Sequence, residues 1–118
     1  MCFIVKTKRQ ITAKRDIECY KAMRPFRNGC QSAMQDYFYE FNKLNKHIEL
    51  EFCLYNVTIR NKSIILKGYH SDKYIENARD GWGNIPVYRC IIPKGSKYYV
   101  NDTEYVSSNI IVKEIIPC

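Results

Sequence analysis

Val87-Tyr88-Arg89-Cys90-Ile91-Ile92, Pro93-Lys94-Gly95 and then Ser96-Lys97-Tyr98-Tyr99-Val100 is the stretch that decides the fold. Two runs of β-branched and aromatic residues flank a Pro-Lys-Gly turn, a composition that fits two pleated, half-buried strands joined by a turn. The same grammar extends outward. Asn101-Asp102 reads as a second turn, and Ile110 to Ile116 as a closing strand. Upstream, Ile17, Cys19 and Met23 alternate with Glu18 and Tyr20 in a strand that enters a turn at Pro25 to Gly29. Tyr37, Tyr39 and Phe41 form another alternating run. Ile48, Leu50, Phe52 and Leu54 share one face opposite Glu49 and Glu51, with a change of parity near Tyr55-Asn56 that predicts a bulge. Arg60-Asn61-Lys62 reads as a turn into a strand from Ser63 to Tyr69.

Helical signals are sparse. Ser71 or Asp72 can cap a helix over about residues 72–80, with Ile75 and Ala78 at i,i+3 spacing and Gly81 to end it. Gln31 to Asp36 offers at most one further helical turn. The expectation is an α+β fold: β-rich, a mostly antiparallel sheet, one short helix, and one domain over residues 1–118.

Composition narrows the function classes. Hydrophobic residues make up 46% of the 118, enough for a packed core and too many for a disordered chain. No apolar run approaches the ~18–20 residues of a membrane-spanning helix. The first residues meet Lys6, Lys8 and Arg9 without the pattern of a signal peptide, so the chain is expected in the cytoplasm. The six cysteines, at positions 2, 19, 30, 53, 90 and 118, contain no C-x-x-C, and the two histidines are far apart. Reduced thiols acting as small hydrophobes are therefore expected, with no metal and no cofactor.

The charge is uneven. Residues 1–30 hold eight basic groups against Asp16 and Glu18, and the other 88 residues hold eleven against ten. Such a face attracts anions, whether a phosphorylated small molecule, an acidic protein or a nucleic acid. Nothing local marks a catalytic centre: there is no G-x-S-x-G elbow, no P-loop and no G-x-G-x-x-G. Aromatic strands beside basic residues can stack nucleobases, although alternating aromatics also build cores.

Two resemblances rest on particular residues. Asp16-Ile17-Glu18-Cys19-Tyr20-Lys21, Tyr39-Glu40-Phe41, Gly68-Tyr69-His70-Ser71 and Ile92-Pro93-Lys94-Gly95-Ser96-Lys97-Tyr98-Tyr99 together resemble small proteins of phages and gut Bacteroidetes. That resemblance covers most of the chain and implies no particular activity. It implies a phage origin and a role against host defence, in the host cytoplasm. The C-terminal half is also similar, in its order of elements, to ADP-ribosyltransferases. On that resemblance Tyr20-Lys21 stands where the family has an aromatic-Arg pair, and His70-Ser71 lies near its Ser-Thr-Ser segment. Aligned on Glu104-Tyr105-Val106-Ser107, the family's catalytic Glu falls on Ile110 and the preceding acidic or amide residue on Ser108. An isoleucine cannot stabilise a developing oxocarbenium charge. The resemblance thus implies a nucleotide cleft without transfer.

The leading expectation is a non-enzymatic binder of an anionic nucleotide-type small molecule, with Lys21, Arg24, Arg27, His70, Arg89 and Lys94 as ligand contacts. The alternative is an interaction module docking on a host or viral protein through its basic N-terminal face. A nucleic-acid binder is a third reading, and an enzyme has the least support.

Overall fold

A computed structural model describes residues 3–5, 10–26, 29–32, 38–57, 60–82 and 85–117. Chain order gives β1 (Phe3–Val5), β2 (Ile11–Thr12), β3 (Ile17–Phe26), β4 (Gly29–Ser32), β5 (Phe38–Glu40), β6 (Glu51–Val57) and β7 (Arg60–Lys67). Then follow β8 (Tyr69–Asp72), α1 (Ile75–Trp82), β9 (Val87–Ile92), β10 (Lys97–Val100), β11 (Glu104–Ser107) and β12 (Ile111–Ile116). Nine strands form one antiparallel sheet along the path β12-β9-β3-β8-β11-β10-β2, with β4 joined to β3 and β5 to β4. A separate three-stranded sheet runs β1-β7-β6.

The α+β expectation is overturned. One eight-residue helix is too little to form an α layer, and its own sequence limits it: Asn77, Asp80 and Gly81 are weak helix formers. The helix also begins later than expected, at Ile75, because Ser71 and Asp72 are strand residues paired with Tyr105 and Glu104. Its buried Ala78 packs on Ala22 and Val87, on the outer face of the large sheet.

Several boundaries differ from the sequence reading for identifiable reasons. β3 runs through Pro25 to Phe26, where a turn was expected, because these residues pair with Cys30 and Gly29 in a hairpin. Arg60 to Lys62 is strand rather than turn, paired with Val57 to Tyr55, and the irregularity in β6 falls between Glu51 and Phe52 instead of at Tyr55-Asn56. The expected helical turn at Gln31 begins as β4, and its remainder from residue 33 to 36 lies outside the described residues.

β3 organises the large sheet because it has more neighbours than one strand can pair along its whole length. On one edge it pairs with β9 from Ile17 to Ala22, and Met23 N continues that edge by donating to Pro86 O at 3.0 Å. On the other edge it meets β8 only at Tyr20–Asp72. From Met23 onward β4 takes that second edge. Beyond β5 the chain returns to β12: Phe41 bridges Val112, Leu44 bridges Ile111, and Asn42 N donates to Val112 O at 2.8 Å. Pairing therefore runs in a ring, β12-β9-β3-β4-β5 and back to β12. Inside it lie Cys19, Met23, Cys30, Tyr39, Tyr88, Cys90, Ile92 and Val112, all buried. Closing the ring leaves fewer backbone edges exposed to water or to other chains.

Gly68 lets the chain pass from β7 in the small sheet to β8 in the large one. Its φ is +147°, and a Cβ there would lie 2.5 Å from Val106 Cγ1 and 2.7 Å from Leu50 Cδ2. Gly95 also has positive φ, +91°, but has open space around it. Gly95→Ala should cost only the backbone penalty, about 1–2 kcal/mol. Gly68→Ala should add an overpacking cost of typically about 1–3 kcal/mol. Urea unfolding of the two variants should rank Gly68→Ala well below Gly95→Ala in midpoint; equal midpoints would contradict this account of the crossing.

Candidate functional site

Between β2 and β3 the chain must travel from one edge of the large sheet to its middle, since β2 pairs with β10 whereas β3 pairs with β9. Two backbone bonds guide it: Ala13 N donates to Ser96 O and Gly95 N donates to Ala13 O, both at 2.8 Å. Asp16 then accepts a hydrogen bond from Lys94 N at 2.9 Å. The crossing segment leaves an open cleft of about 580 Å³ between itself and the sheet, lined by Lys14, Arg15, Asp16, Glu18, Tyr98 and Tyr105 among others. Lys14 and Arg15 are exposed. The Tyr98 and Tyr105 rings meet edge to face at 5.9 Å, and Lys73 Nζ stands 5.9 Å from the Tyr105 ring centre. Burial raises the Tyr105 phenol above its usual range, so it stays a neutral hydrogen-bonding group.

A second polar cluster lies where β3 and β8 part. Alternation puts Cys19, Lys21 and Met23 on the inner face of β3, and Tyr20 and Ala22 on the helix side. Lys21 Nζ donates to the His70 carbonyl at 2.6 Å. His70 lies two positions beyond Asp72 of the Tyr20–Asp72 pair, where the strands no longer pair with each other. Removal from water pushes the Lys21 amine down, opposed in part by Cys90, Cys19, Asp72 and Cys30. Burial and the Lys21 charge lower His70 to about 4. Burial and the facing Glu104 raise Asp72 to about 6. Ser71, only 4% exposed, has a buried Oγ with no hydrogen-bond partner.

The residues expected to hold a ligand do not converge. Lys21 and His70 come together. Arg24 is exposed near the far end of β3, opposite Gln31. Arg89 is committed to Glu114, with Nε and Nη2 each 2.8 Å from the same carboxylate oxygen, and lies 4.0 Å from Glu18. Lys94 is exposed in the turn between β9 and β10. Arg27 lies outside the described residues. Sequence reasoning included Lys14 and Arg15 in the basic face but did not place them beside Tyr98 and Tyr105, since only the crossing segment joins them.

The position that the transferase resemblance gives to the catalytic carboxylate is inside the core: Ile110 is fully buried. Ser108, the position before it on that resemblance, is also buried, and its Oγ accepts from Lys97 N at 3.0 Å. Cys19, Cys30 and Cys90 are free thiols, and no group of three or more metal-binding side chains occurs among the described residues. No helix among them is long and apolar enough to cross a membrane. Comparison with protein families, curated proteins and solved structures finds no match to the chain.

The two shifted groups on β8 act in opposite directions on stability. His70 takes up its proton near 6.5 when unfolded and near 4 when folded, so its contribution is lost as pH falls through that window. Asp72 moves from 3.8 to about 6, so its contribution is complete at low pH and lost as pH rises through 6. Between about pH 4 and 6 they offset each other. His70→Asn should therefore gain stability relative to the parent on acidification from pH 6.5 to 4.5, read by urea unfolding at the two pH values. Parallel pH profiles for variant and parent would contradict the assignment.

Proposed function

We propose that the chain is a non-catalytic binding protein for an anionic, nucleotide-type small molecule held in the Lys14–Arg15–Tyr98–Tyr105 cleft. One observation carries the reading: two exposed cationic side chains border a cleft with a tyrosine pair in its lining. Its volume falls within the few hundred to about 1,000 Å³ of ordinary ligand sites. A tyrosine ring offers a stacking face to a base, worth about 1–3 kcal/mol. Arginine and lysine supply charge-assisted hydrogen bonds to phosphate. The two carboxylates of the cleft have cationic or N–H neighbours, Lys94 N for Asp16 and Arg89 for Glu18. Binding without turnover accords with Ile110 at the position of a required carboxylate. The resemblance to phage proteins extends the reading to sequestration of a host immune nucleotide.

Docking on a host protein is the second reading, favoured by one feature. Phe26 and Phe38, both exposed, meet at a tilt with ring centres 4.5 Å apart on the β3–β5 side, and Arg24, close in sequence to Phe26, is exposed as well. The two readings separate experimentally. A nucleotide bound only to the folded state at a hundredfold excess over Kd stabilises it by about 2.7 kcal/mol. That is a rise of roughly 4–8 °C in midpoint for a domain of this size. Some member of a mono-, di- and cyclic-nucleotide panel should produce it. Lys14→Glu with Arg15→Glu should abolish the rise, and Arg24→Glu should leave it intact. No rise across the panel would remove the cleft reading and leave docking ahead.

A further inference from the structure

β3 has an open stretch of edge, and its backbone alternation fixes what that stretch presents. Pairing with β9 runs in continuous register from Ile17–Ile92 to Ala22–Val87, and Met23 N extends it by donating to Pro86 O. In an antiparallel ladder the bonded pairs recur at every second residue, and each residue turns its N–H and C=O to the same edge. Ile17, Cys19, Lys21 and Met23 therefore bond toward β9. The even-numbered residues turn their N–H and C=O to the other edge, where Tyr20 meets Asp72 of β8 and Arg24 meets Gln31 of β4.

Glu18 is the exception. It lies one repeat before Tyr20, on the side of β8, but β8 ends at Asp72 and the chain leaves for α1. Among the described residues no strand pairs with Glu18 on that edge. The tyrosine cleft lies there instead, lined by Ile17 and Glu18 as well as by Tyr98 and Tyr105. Register and cavity are independent observations. Together they put a backbone donor and a backbone acceptor side by side on the wall of an open cleft. Such a pair is a template for any group that offers the complementary acceptor and donor. The Glu18 carboxylate has Arg89 at 4.0 Å, so the group left for a ligand is the backbone.

We propose that the Glu18 N–H and C=O read the edge of a purine base whose phosphate lies at Lys14 and Arg15; the inference rests on the cleft reading above and specifies its ligand. A purine carries a donor beside an acceptor on its Watson–Crick edge, N6–H and N1 in adenine, N1–H and O6 in guanine. Either set matches one C=O and one N–H of an extended residue, as a neighbouring strand would. A purine also has the larger face to lay against a tyrosine ring, and stacking strength sets such preferences. Sugar phosphates lack both features. Because backbone groups do the reading, no side-chain motif marks the site in the sequence.

Amide hydrogen exchange, followed residue by residue by NMR in the folded full-length chain, tests this. In the free protein the Glu18 amide should exchange on the order of tenfold or more faster than those of Cys19 and Met23, since its exchange breaks no ladder bond. Saturation with AMP or GMP should slow it by a similar factor. N6,N6-dimethyl-AMP and N1-methyl-GMP, each lacking the donor, should bind on the order of tenfold more weakly than their parents. A residue whose N–H faces an open edge accepts proline, so Glu18→Pro should fold. It should bind AMP or GMP on the order of tenfold more weakly than Glu18→Gln, which loses the same carboxylate but keeps the N–H. A Glu18 amide as protected as that of Cys19 in the free protein would overturn the proposal. So would a Glu18 amide that neither nucleotide slows, or methylated nucleotides that bind as well as their parents. A midpoint rise with pyrimidine nucleotides alone would overturn it and leave the cleft reading standing, whereas no rise with any nucleotide would remove both.

Discussion

The hydrogen bond from Lys21 Nζ to the His70 carbonyl, 2.6 Å long, sits at the point on which the large sheet turns. β3 is ten residues long and cannot keep β8 and β4 on the same edge along its whole length. Pairing with β8 stops after Tyr20–Asp72, β4 takes over at Met23, and Lys21 Nζ reaches the His70 carbonyl across the parting. A buried carbonyl in that position costs free energy unless a donor reaches it. Lys21 is the residue one place beyond the last pair, on the inner face, with a side chain long enough to span the gap. The ring of strands through β4, β5 and β12 requires this parting, so a cationic side chain comes to stand among apolar and sulfur-bearing residues.

The electrostatics follow from that placement. Side chains on the outer face near the parting are polar and half-buried: His70, Asp72 and Glu104, with Tyr20 across from Asp72. Those on the inner face are thiols, tyrosines and Met23. Burial moves each ionisable group toward its neutral form, lowering Lys21 and His70 and raising Asp72, Glu104 and the Cys30 thiol. Exposed Lys14 and Arg15 of the basic face lie elsewhere and border the tyrosine cleft. One basic segment is thus divided by strand alternation and by the crossing between β2 and β3 into an internal amine and an external anion-attracting rim.

Local pattern made the strands legible, and it did so best where alternation and turn chemistry agreed. Val87–Ile92, Lys97–Val100 and the Pro93-Lys94-Gly95 turn were all readable from residue type. Arg60 to Lys62 was not, because a polar hairpin arm looks like a loop until its partner is known. The fold class was missed because one short helix was counted as the α part of an α+β fold, whereas eight residues on one face of the large sheet form no α layer. Lys21 and His70 could be picked from their motifs. Their distance could not, since it depends on a contact between residues 49 apart in sequence. The cleft was hidden for a similar reason: Lys14 and Arg15 reach Tyr98 and Tyr105 only because β2 pairs with β10. Arg89 shows the converse limit, as its charge is visible in sequence but its commitment to Glu114 is a product of the β9–β12 register.

The central claim is that Lys21 sits in the wall of the ring as a desolvated amine bonded to His70, and not as one more surface lysine. Nitrogen-15 NMR of the lysine side chains, followed as a function of pH in the folded protein, tests it most directly. The account predicts one Nζ resonance, assigned through loss in Lys21→Arg, that titrates below the usual lysine value of 10.5. A Lys21 Nζ that titrates at or above that value would contradict it.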